Sequence, residues 1–259
     1  MQHNNDGKQL RVVIPARYAS SRLPGKPLVD LAGQPMVVRV YRRVEMALAN
    51  ADIVVATDDQ RIAQVLEQHA IPFVMTAVEH ESGSDRTAEV ARLLDWSAED
   101  IIINVQGDEP LLPVDLLQAF AAFCRSRSNL EMASVAAPLS GREQIQDAGI
   151  VKVVLNQHDD ALLFSRSAIP FCRDLPQEAW PLEAFSRHIG IYAYRNASLQ
   201  QLTATPVCPL ESLEKLEQLR ALWLGMKIGM MKWHATPPHG VDTPADVQRV
   251  TQLLLKDQQ

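Results

Sequence analysis

The sequence of 259 residues is poor in cysteine: it has three, Cys124, Cys172 and Cys208, and no C-x-x-C pair. Neither a disulfide framework nor a structural zinc site is therefore indicated, and a reducing compartment fits best. A signal peptide is also missing, because the first nine residues are polar, and no apolar run approaches the roughly 18 residues of a membrane helix. We expect a cytoplasmic protein with no membrane partner.

The sequence also lacks an excess of basic residues, since its formal net charge is -6. Proteins that bind nucleic acids depend largely on clustered Lys and Arg side chains to neutralise phosphates. No nucleic-acid partner is therefore expected, and any phosphate site must be local. With 47% hydrophobic residues the chain can bury a substantial core, and the sequence has no repeat, low-complexity segment or flexible linker.

The first half of the chain alternates short β-branched runs with helical stretches, which is the pattern of a parallel sheet covered by helices. Pro35 and Pro113 suit the first position of a helix, where the missing N–H costs nothing. The pattern predicts strands at 10–14, 52–57, 72–75 and 100–105 and helices near 35–50 and 113–127.

The second half of the chain has a different character, because its strand-like runs follow one another more closely. EMASVAAP, IVKVVL, ALLFS and RHIGIYAY predict antiparallel or mixed strands, and helices are predicted at about 210–224 and 244–256. The expected fold class is α/β, with a mostly parallel, doubly wound sheet and a smaller mixed-strand excursion. We expect a single domain over 1–259, of which about 132–224 forms the excursion.

The first predicted strand runs into the loop PARYASSRLPGKPL, which holds Arg17, Arg22 and Lys26. Ligands of open α/β sheets collect at the carboxyl ends of the strands, and Arg, Lys and backbone N–H groups in turns all bind phosphate oxygens. A triphosphate is the expected ligand, although a solvated basic loop has the same composition. The loop contains neither G-x-G-x-x-G nor G-x-x-x-x-G-K-[ST], which argues against the dinucleotide fold and the usual NTPase loop.

Two acidic segments offer candidate metal ligands. NVQGDEP follows a predicted strand and places Asp108 and Glu109 in a turn, where carboxylates serve either as helix caps or as metal ligands. In GVDTPADV, Thr243 suits an N-cap and Asp246 its capping-box partner. That interpretation leaves Asp242 without a structural role, so Asp242 is a candidate second carboxylate for Mg²⁺.

A third segment, RHIGIYAY, combines an imidazole with two phenols. Strand alternation places His188, Gly190, Tyr192 and Tyr194 on one face, which is polar and open to water in this interpretation. Single His and Tyr residues are more often structural than ligand-binding. Their role is therefore open from the pattern alone.

The predicted helix LESLEKLEQLRALWLG carries an apolar stripe that suits the core or a dimer interface. Glu217 lies four residues beyond Leu213 and so shares the apolar side, where an unpaired carboxylate would be costly to bury. A function is therefore expected for Glu217 rather than for Glu211 or Glu214. The stripe consists of Leu210, Leu213, Leu216 and Leu219.

IPARYASSRLPGKPL resembles the signature loop of the 3-deoxy-manno-octulosonate (Kdo) cytidylyltransferases almost position for position. The sister enzymes that load sialic acid carry a different loop. One departure is the LFS at 163–165, where the family pattern has an aromatic pair before the serine. The other matching motifs follow in chain order and span nearly the whole chain: VATDD (55–59), ESGSDR (81–86), NVQGDEP (104–110), VKVVL (151–155), LFSRSAIP (163–170), RHIGIYAY (187–194), LESLEKLEQLR (210–220) and GVDTP (240–244).

This resemblance implies an activity, a cofactor and an assembly. The activity is transfer of CMP from CTP to the anomeric hydroxyl of Kdo, with release of pyrophosphate, for lipopolysaccharide biosynthesis. Mg²⁺ is the implied cofactor, and a homodimer is the implied assembly. Two alternatives stay open: the same chemistry on an 8-amino analogue of Kdo or another acid sugar, and a non-catalytic CTP-binding relative.

The resemblance also implies roles for individual residues. It places Arg166 against the carboxylate of the sugar, a task suited to a planar bidentate donor. The implied catalytic residues are Arg17, Arg22, Lys26 and Asp108. The implied nucleotide-binding residues are Ala16, Arg17, Ser20, Ser21, Arg22, Lys26, Ser82, Gly83 and Arg86. The implied acceptor-binding residues are Gln106, Arg166, His188, Tyr192, Glu217 and Gln218. The implied Mg²⁺ ligands are Asp108 and Asp242.

Overall fold

The computed structural model describes residues 8–19, 23–80 and 82–256, which form eleven β-strands and nine α-helices. The strands are β1 (Leu10–Pro15), β2 (Asp30–Leu31), β3 (Gln34–Pro35), β4 (Asp52–Thr57), β5 (Phe73–Met75), β6 (Ile101–Asn104), β7 (Met132–Pro138), β8 (Lys152–Leu155), β9 (Ala161–Ser165), β10 (Ser186–Arg195) and β11 (Ile228–Lys232). The helices are α1 (Met36–Ala47), α2 (Gln60–Gln68), α3 (Gly83–Leu93), α4 (Val114–Ser126), α5 (Glu143–Gln146), α6 (Asn196–Ala204), α7 (Pro209–Glu214), α8 (Gln218–Trp223) and α9 (Pro244–Lys256).

The chain divides into two compact units. The first comprises the described residues up to Ala122 and from Pro237 onward, and the second comprises Phe123–Thr236. The expectation of a single domain with an excursion at about 132–224 stays a prediction. Within the described ranges, no helix is both long and apolar enough to cross a lipid bilayer.

The first unit is built on a parallel sheet in the order β6-β1-β4-β5. Consecutive residues of β1, Val12, Val13 and Ile14, are all fully buried. Because successive side chains of a strand point to opposite faces, both faces of this sheet are covered, as is usual for parallel sheets. The four strands predicted for this half are confirmed within one or two residues.

The second unit contains a mixed sheet. Strand β7 pairs antiparallel with β10 and parallel with β11, while β8 pairs antiparallel with both β10 and β9. The predicted change from a parallel to a mixed arrangement is therefore confirmed. Beside this sheet, the Trp180 indole stacks on the Phe185 ring at 5.7 Å and donates from Nε1 to the Leu175 carbonyl at 3.0 Å.

The prediction of one continuous helix at about 210–224 is wrong. Lys215 adopts a left-handed conformation with φ of 54°, which ends α7 and separates it from α8. As a result the leucine stripe is broken. Leu213 is 82% exposed and Leu210 is 40% exposed, whereas Leu216 and Leu219 are buried.

The predicted capping box of α9 is confirmed. The Thr243 hydroxyl oxygen accepts from the Asp246 backbone N–H at 3.3 Å, and Asp246 Oδ2 accepts from the Thr243 backbone N–H at 3.0 Å. Burial acts to raise the pKa of Asp246, but hydrogen bonds from Thr243, Arg249 and the Asp242 N–H outweigh it and lower the pKa to about 2. Pro35 was expected at the first position of a helix. It is instead the N-cap of α1, one residue earlier.

We expect Asp246→Asn to lower the free energy of unfolding at pH 7 by about 1 kcal/mol, since the variant loses the charged half of the capping box. The depressed pKa means that this stabilisation is present above pH ~4 and fades as the pH falls towards 2. Urea unfolding of both proteins at several pH values measures the difference. A difference that persists unchanged at pH 2 would contradict the role of the carboxylate.

Candidate active site

The loop after β1 begins the candidate site. The Ala16 N–H donates to the Ala56 carbonyl at 2.8 Å, which fixes the start of the loop to β4. Further along, Gly25 has a φ of 67°, which glycine adopts at little cost, and Lys26 begins a short 3₁₀ turn directly after it. Arg17 is exposed between these two points.

Asp108 reaches the site because Gly107 allows a very close approach of two loops. A Cβ atom on Gly107 would lie 2.5 Å from the Pro15 carbonyl oxygen, so no other residue fits without a shift of the backbone. The loop after β6 therefore presses against the end of β1. From there Asp108 Oδ2 accepts a hydrogen bond from Lys26 Nζ at 2.6 Å.

Asp242 reaches the same ammonium from the distant end of the chain. The Val241 N–H donates to the Asp108 carbonyl at 2.8 Å, and the preceding Gly240 lies so close that a Cβ would be 2.9 Å from that oxygen. Asp242 Oδ1 then accepts from Lys26 Nζ at 3.0 Å. The two carboxylates predicted as metal ligands therefore converge on one cation.

The positive charge on Lys26 is favoured by its two carboxylate partners. Burial alone would lower the pKa of its ammonium, but the attraction of Asp108 and Asp242 outweighs that effect and raises the pKa. The Lys26 side chain is only 17% exposed. The site therefore holds a positive charge between the two carboxylate side chains.

A cavity of about 270 Å³ opens beside these charges. Its walls include Asp108, Asp242 and Gln106. They also include six of the predicted nucleotide-binding residues: Ala16, Arg17, Lys26, Ser82, Gly83 and Arg86. The other three, Ser20, Ser21 and Arg22, lie outside the described residues.

Ser82 caps the start of α3. Its hydroxyl oxygen accepts from the Asp85 N–H at 3.0 Å, and Asp85 Oδ2 accepts from the Ser82 N–H at 3.3 Å, which completes a capping box at the start of α3. Gly83 is the first residue of that helix. The first turn of α3 thus forms part of the cavity wall.

Arg86 lines the cavity, but its guanidinium is held by the protein. The side chain is buried and donates to Asp58 Oδ2 at 2.8 Å, to the Ala77 carbonyl at 3.3 Å and to the Thr76 hydroxyl. Arg86 therefore joins the loop after β4 to the loop after β5. Its contribution here is to fix the shape of the cavity wall.

His80 is a cavity residue that the sequence did not reveal. Its Nε2 lies 2.6 Å from Glu89 Oε2, which also accepts from the Ala77 N–H at 2.8 Å. Burial acts to raise the pKa of Glu89, but these contacts lower it. The only signal in the sequence was the position of His80 directly before the ESGSDR motif.

In the second unit, the structure brings three of the predicted acceptor-binding residues together. Gln218 accepts from the Tyr192 hydroxyl at 3.0 Å through Oε1, and its Nε2 lies 3.4 Å from His188 Nδ1. The other ring nitrogen of His188, Nε2, lies 2.8 Å from the Ser134 hydroxyl. The imidazole and phenol rings are 5.3 Å apart, as strand alternation predicted.

His188 is nevertheless buried, so the expectation of a wet face does not hold at this residue. Burial, with a smaller contribution from Arg187, lowers the pKa of His188 to about 3. Burial, with a contribution from Glu217, raises the pKa of Tyr192. Both side chains are therefore neutral hydrogen-bonding groups at physiological pH.

Arg166 is fixed in place by Glu214, a residue that the sequence pattern gave no function. Glu214 Oε2 accepts from the Arg166 N–H at 2.9 Å, Oε1 accepts from the Ser165 hydroxyl at 2.6 Å, and the Glu214 carbonyl accepts from Arg166 Nε at 2.8 Å. The Arg166 carbonyl accepts from the buried Lys152 Nζ at 2.6 Å. Glu214 is therefore a positioning residue for Arg166.

The prediction that Glu217 lies on the apolar face of one long helix is wrong, because the chain breaks between α7 and α8. Glu217 precedes α8 as its N-cap, and its Oε1 lies 3.7 Å from the Arg220 guanidinium. Arg220 also pairs with the buried Glu211 through two contacts of 2.8 Å. Burial of an unpaired carboxylate therefore gives no reason to assign a function to Glu217, because its carboxylate lies near Arg220. The acceptor role implied by the resemblance stays a prediction.

Comparisons with known proteins identify relatives of this chain. A profile of the family described as "Cytidylyltransferase" matches residues 11–228. A 3-deoxy-manno-octulosonate cytidylyltransferase 2 of Paraburkholderia phytofirmans is 55% identical over 98% of this chain and 97% of its own length. The chain belongs to the 3-deoxy-manno-octulosonate cytidylyltransferase family.

Other members of this family are similar over most of the chain. The 3-deoxy-manno-octulosonate cytidylyltransferase of Acinetobacter baumannii strain SDF is 44% identical over 93% of this chain and 96% of its own length. A solved structure of CMP:2-keto-3-deoxy-manno-octonic acid synthetase complexed with CTP superimposes with a TM-score of 0.88 at 38% identity. It covers 96% of this chain and 100% of that one.

We expect His188 to stay neutral between pH 8 and pH 5. Because its pKa is lowered in the folded state, only the unfolded chain takes up a proton as the pH falls below about 6.5. The free energy of unfolding should therefore fall by about 2 kcal/mol from pH 7 to pH 5 on account of this residue. NMR titration of the imidazole and urea unfolding measure the two effects.

The control for this titration is His158, which is exposed. His158→Gln should keep the pH dependence of stability, whereas His188→Gln should reduce it. A His188 resonance that titrates near pH 6.5 would contradict the burial of a neutral imidazole.

Proposed function

We propose that this chain transfers CMP from CTP to the anomeric hydroxyl of Kdo, giving CMP-Kdo and pyrophosphate. The observation that carries the proposal is the convergence of Lys26, Asp108 and Asp242 at the carboxyl ends of parallel strands. This is where open α/β sheets bind ligands. The family relatives and the CTP complex of the 38%-identical enzyme support the same activity.

In this proposal the triphosphate of CTP lies in the cavity beside Lys26 and Arg17. Displacement at phosphorus depends on positioning and on neutralising charge rather than on covalent chemistry. Lys26 and Arg17, with Arg22 as the resemblance implies, stabilise negative charge that builds up on the departing pyrophosphate. The capping box at Ser82 and the buried Arg86 hold the wall against which the nucleotide lies.

We also propose that Asp108 and Asp242 hold Mg²⁺. Their fit is supported by the ammonium of Lys26, which donates to both carboxylates and so shows that the two can share one cation. Among the described residues no group of three or more His, Cys, Asp or Glu forms a metal site of its own. Two carboxylates suit Mg²⁺, which completes its shell with phosphate oxygens and water. When bound, Mg²⁺ would supply Lewis-acid polarisation of the α-phosphate and could lower the pKa of the attacking hydroxyl.

The acid sugar is assigned to the acceptor-binding residues that the family pattern implies, which include Gln106 and Arg166. Arg166 offers a guanidinium for the sugar carboxylate. The family pattern adds the neutral His188 and Tyr192, which are joined through Gln218. Glu217 is the remaining residue assigned to the acceptor sugar. The 8-amino analogue of Kdo is the alternative acceptor.

Three further features belong to the proposal. We place the reaction in the cytoplasm and in lipopolysaccharide biosynthesis, as the family pattern implies. We also propose a homodimer formed through the second unit. Its support is the family resemblance, and several large apolar side chains of this unit are available for such a contact because they are exposed. Leu213, Phe171, Leu162 and Trp223 are each more than half exposed.

The proposed function is tested by measuring pyrophosphate release from CTP and Mg²⁺ with a panel of acid sugars. Kdo should give the highest kcat/KM, the 8-amino analogue a lower value, and sialic acid no turnover. No release of pyrophosphate with any sugar would contradict catalysis and favour a CTP-binding protein.

We expect Asp108→Asn and Asp242→Asn each to lower kcat/KM by at least about a hundredfold, because each removes a charged ligand of the same cation. Asp115→Asn is the matched control, since Asp115 lies exposed at the start of α4 and away from the cavity. Its activity should be normal. Circular dichroism confirms that the three variants fold alike, and near-normal turnover of either site variant at saturating Mg²⁺ would contradict the two-carboxylate site.

A further inference from the structure

Lys152, the first residue of β8, has a completely buried side chain. Its exposed fraction is 0%, whereas lysines are almost never fully buried in folded proteins unless they are paired. Burial lowers the pKa of its ammonium, although the carboxylates of Asp147 and Glu214 act to raise it. The proposed reaction does not use Lys152, so the cost of burying a charge here requires another explanation.

The ammonium of Lys152 is surrounded by backbone carbonyls. Its Nζ donates to the Asp147 carbonyl at 2.8 Å, to the Ile150 carbonyl at 2.5 Å and to the Arg166 carbonyl at 2.6 Å. An ammonium has three donors, so all of them are used. Carbonyl oxygens that converge on one point repel each other, and the cation between them offsets that repulsion. Lys152 therefore joins the segment 147–150 to the backbone of Arg166.

The same segment also holds the side chain of Arg166. Arg166 Nη1 donates to the Ala148 carbonyl at 3.0 Å, and Ala148 lies in the chain between the two segment residues that Lys152 binds. From the other side, Arg166 Nε donates to the Glu214 carbonyl at 2.8 Å. Without the ammonium, the segment 147–150 would be free to move away and take the acceptor of Nη1 with it.

These contacts determine the direction of the remaining guanidinium nitrogen. The described residues provide hydrogen-bond acceptors for Nε and Nη1 of Arg166 and none for Nη2. A guanidinium is planar, so the positions of two of its nitrogens fix the direction in which the third donates. Binding of a carboxylate depends on that direction, because the donors of the guanidinium have a fixed geometry.

We propose that Lys152 is a positioning residue for the acceptor sugar, because its ammonium fixes the guanidinium of Arg166 in the orientation that binds the sugar carboxylate. This inference rests on the proposed function, in which Arg166 contacts that carboxylate. Lys152 itself touches no substrate. It acts through the carbonyl of Arg166 and through the segment 147–150.

The first test measures KM for each substrate, with the other at saturation, in wild type and Lys152→Met. Methionine nearly matches lysine in length but donates no hydrogen bond. We expect KM for Kdo to rise at least about tenfold, since a misplaced guanidinium loses part of its contact with the carboxylate. KM for CTP should stay within about twofold of wild type, because the nucleotide site is not altered.

Lys232→Met is the matched control for the loss of a lysine from the same unit. The side chain of Lys232 is 65% exposed and pairs with Asp159 at 2.6 Å. Both KM values of this variant should equal those of wild type. A folded Lys152→Met with an unchanged KM for Kdo would overturn the proposal.

A double variant tests whether Lys152 acts through Arg166. Arg166→Ala should raise KM for Kdo, and adding Lys152→Met should raise it by less than about twofold more, because no guanidinium remains to be misplaced. If the two effects multiply instead, Lys152 acts independently of Arg166 and the proposal is overturned.

A purely structural role for Lys152 has a different signature. Lys152→Met would then raise KM for CTP and for Kdo by similar factors, and that result would overturn the proposal. If Lys152→Met does not fold, Lys152→Gln is measured in the same way, since it keeps a donor on a shorter side chain. Its KM for Kdo should also rise, and an unchanged value would overturn the proposal.

These measurements separate this inference from the proposed function. If wild type turns over Kdo and Arg166→Ala raises its KM, an unchanged KM in Lys152→Met overturns the role of Lys152 alone. If Arg166→Ala leaves KM for Kdo unchanged, the acceptor role of Arg166 is wrong and this inference fails with it. If wild type releases no pyrophosphate with Kdo, the proposed function itself is contradicted.

Discussion

The ion pairs of Lys26 with Asp108 and Asp242 are the constraint on which the nucleotide site depends. They join the loop after β1, the loop after β6 and the segment before α9, which are far apart in the sequence. Two carboxylates brought this close would repel each other, and a cation between them offsets that repulsion. The backbone is adapted to the same arrangement, because Gly107 and Gly240 have no room for a side chain where these segments meet.

Much of this site could be predicted from the sequence, for identifiable reasons. Strand β1 is buried on both faces, so its run of β-branched residues gave a strong signal and located the loop that follows. The α9 capping box used Thr243 and Asp246 and left Asp242 unexplained, and the structure pairs Asp242 with Lys26. Sequence patterns predicted correctly the features that residues close together in the chain determine, such as strand β1 and the capping box of α9.

The errors arose where distant parts of the chain decide the structure. A continuous leucine repeat predicted one helix, but Lys215 adopts a left-handed conformation that the repeat does not reveal. Glu217 was therefore placed on an apolar helix face that does not exist. Glu214 was given no function, because its contacts with Ser165 and Arg166 join residues nearly fifty positions apart.

The two units use charge in different ways. In the first, opposite charges meet at a partly exposed cavity, which suits a triphosphate and a divalent cation. In the second, burial keeps His188 and Tyr192 neutral, and the guanidinium of Arg166 is oriented by backbone and carboxylate contacts from Glu214. Such a neutral, fixed set of hydrogen-bonding groups favours recognition of hydroxyl groups over proton transfer.

The most direct test of the central claim, that Asp108 and Asp242 hold one divalent cation, is Mn²⁺ binding without nucleotide, followed by electron paramagnetic resonance. Lys26→Met removes the ammonium that pairs with both carboxylates, so the variant should bind Mn²⁺ more tightly than wild type. Adding Asp242→Asn to this variant should abolish the gain. Equal or weaker Mn²⁺ binding by Lys26→Met would contradict a shared cation site.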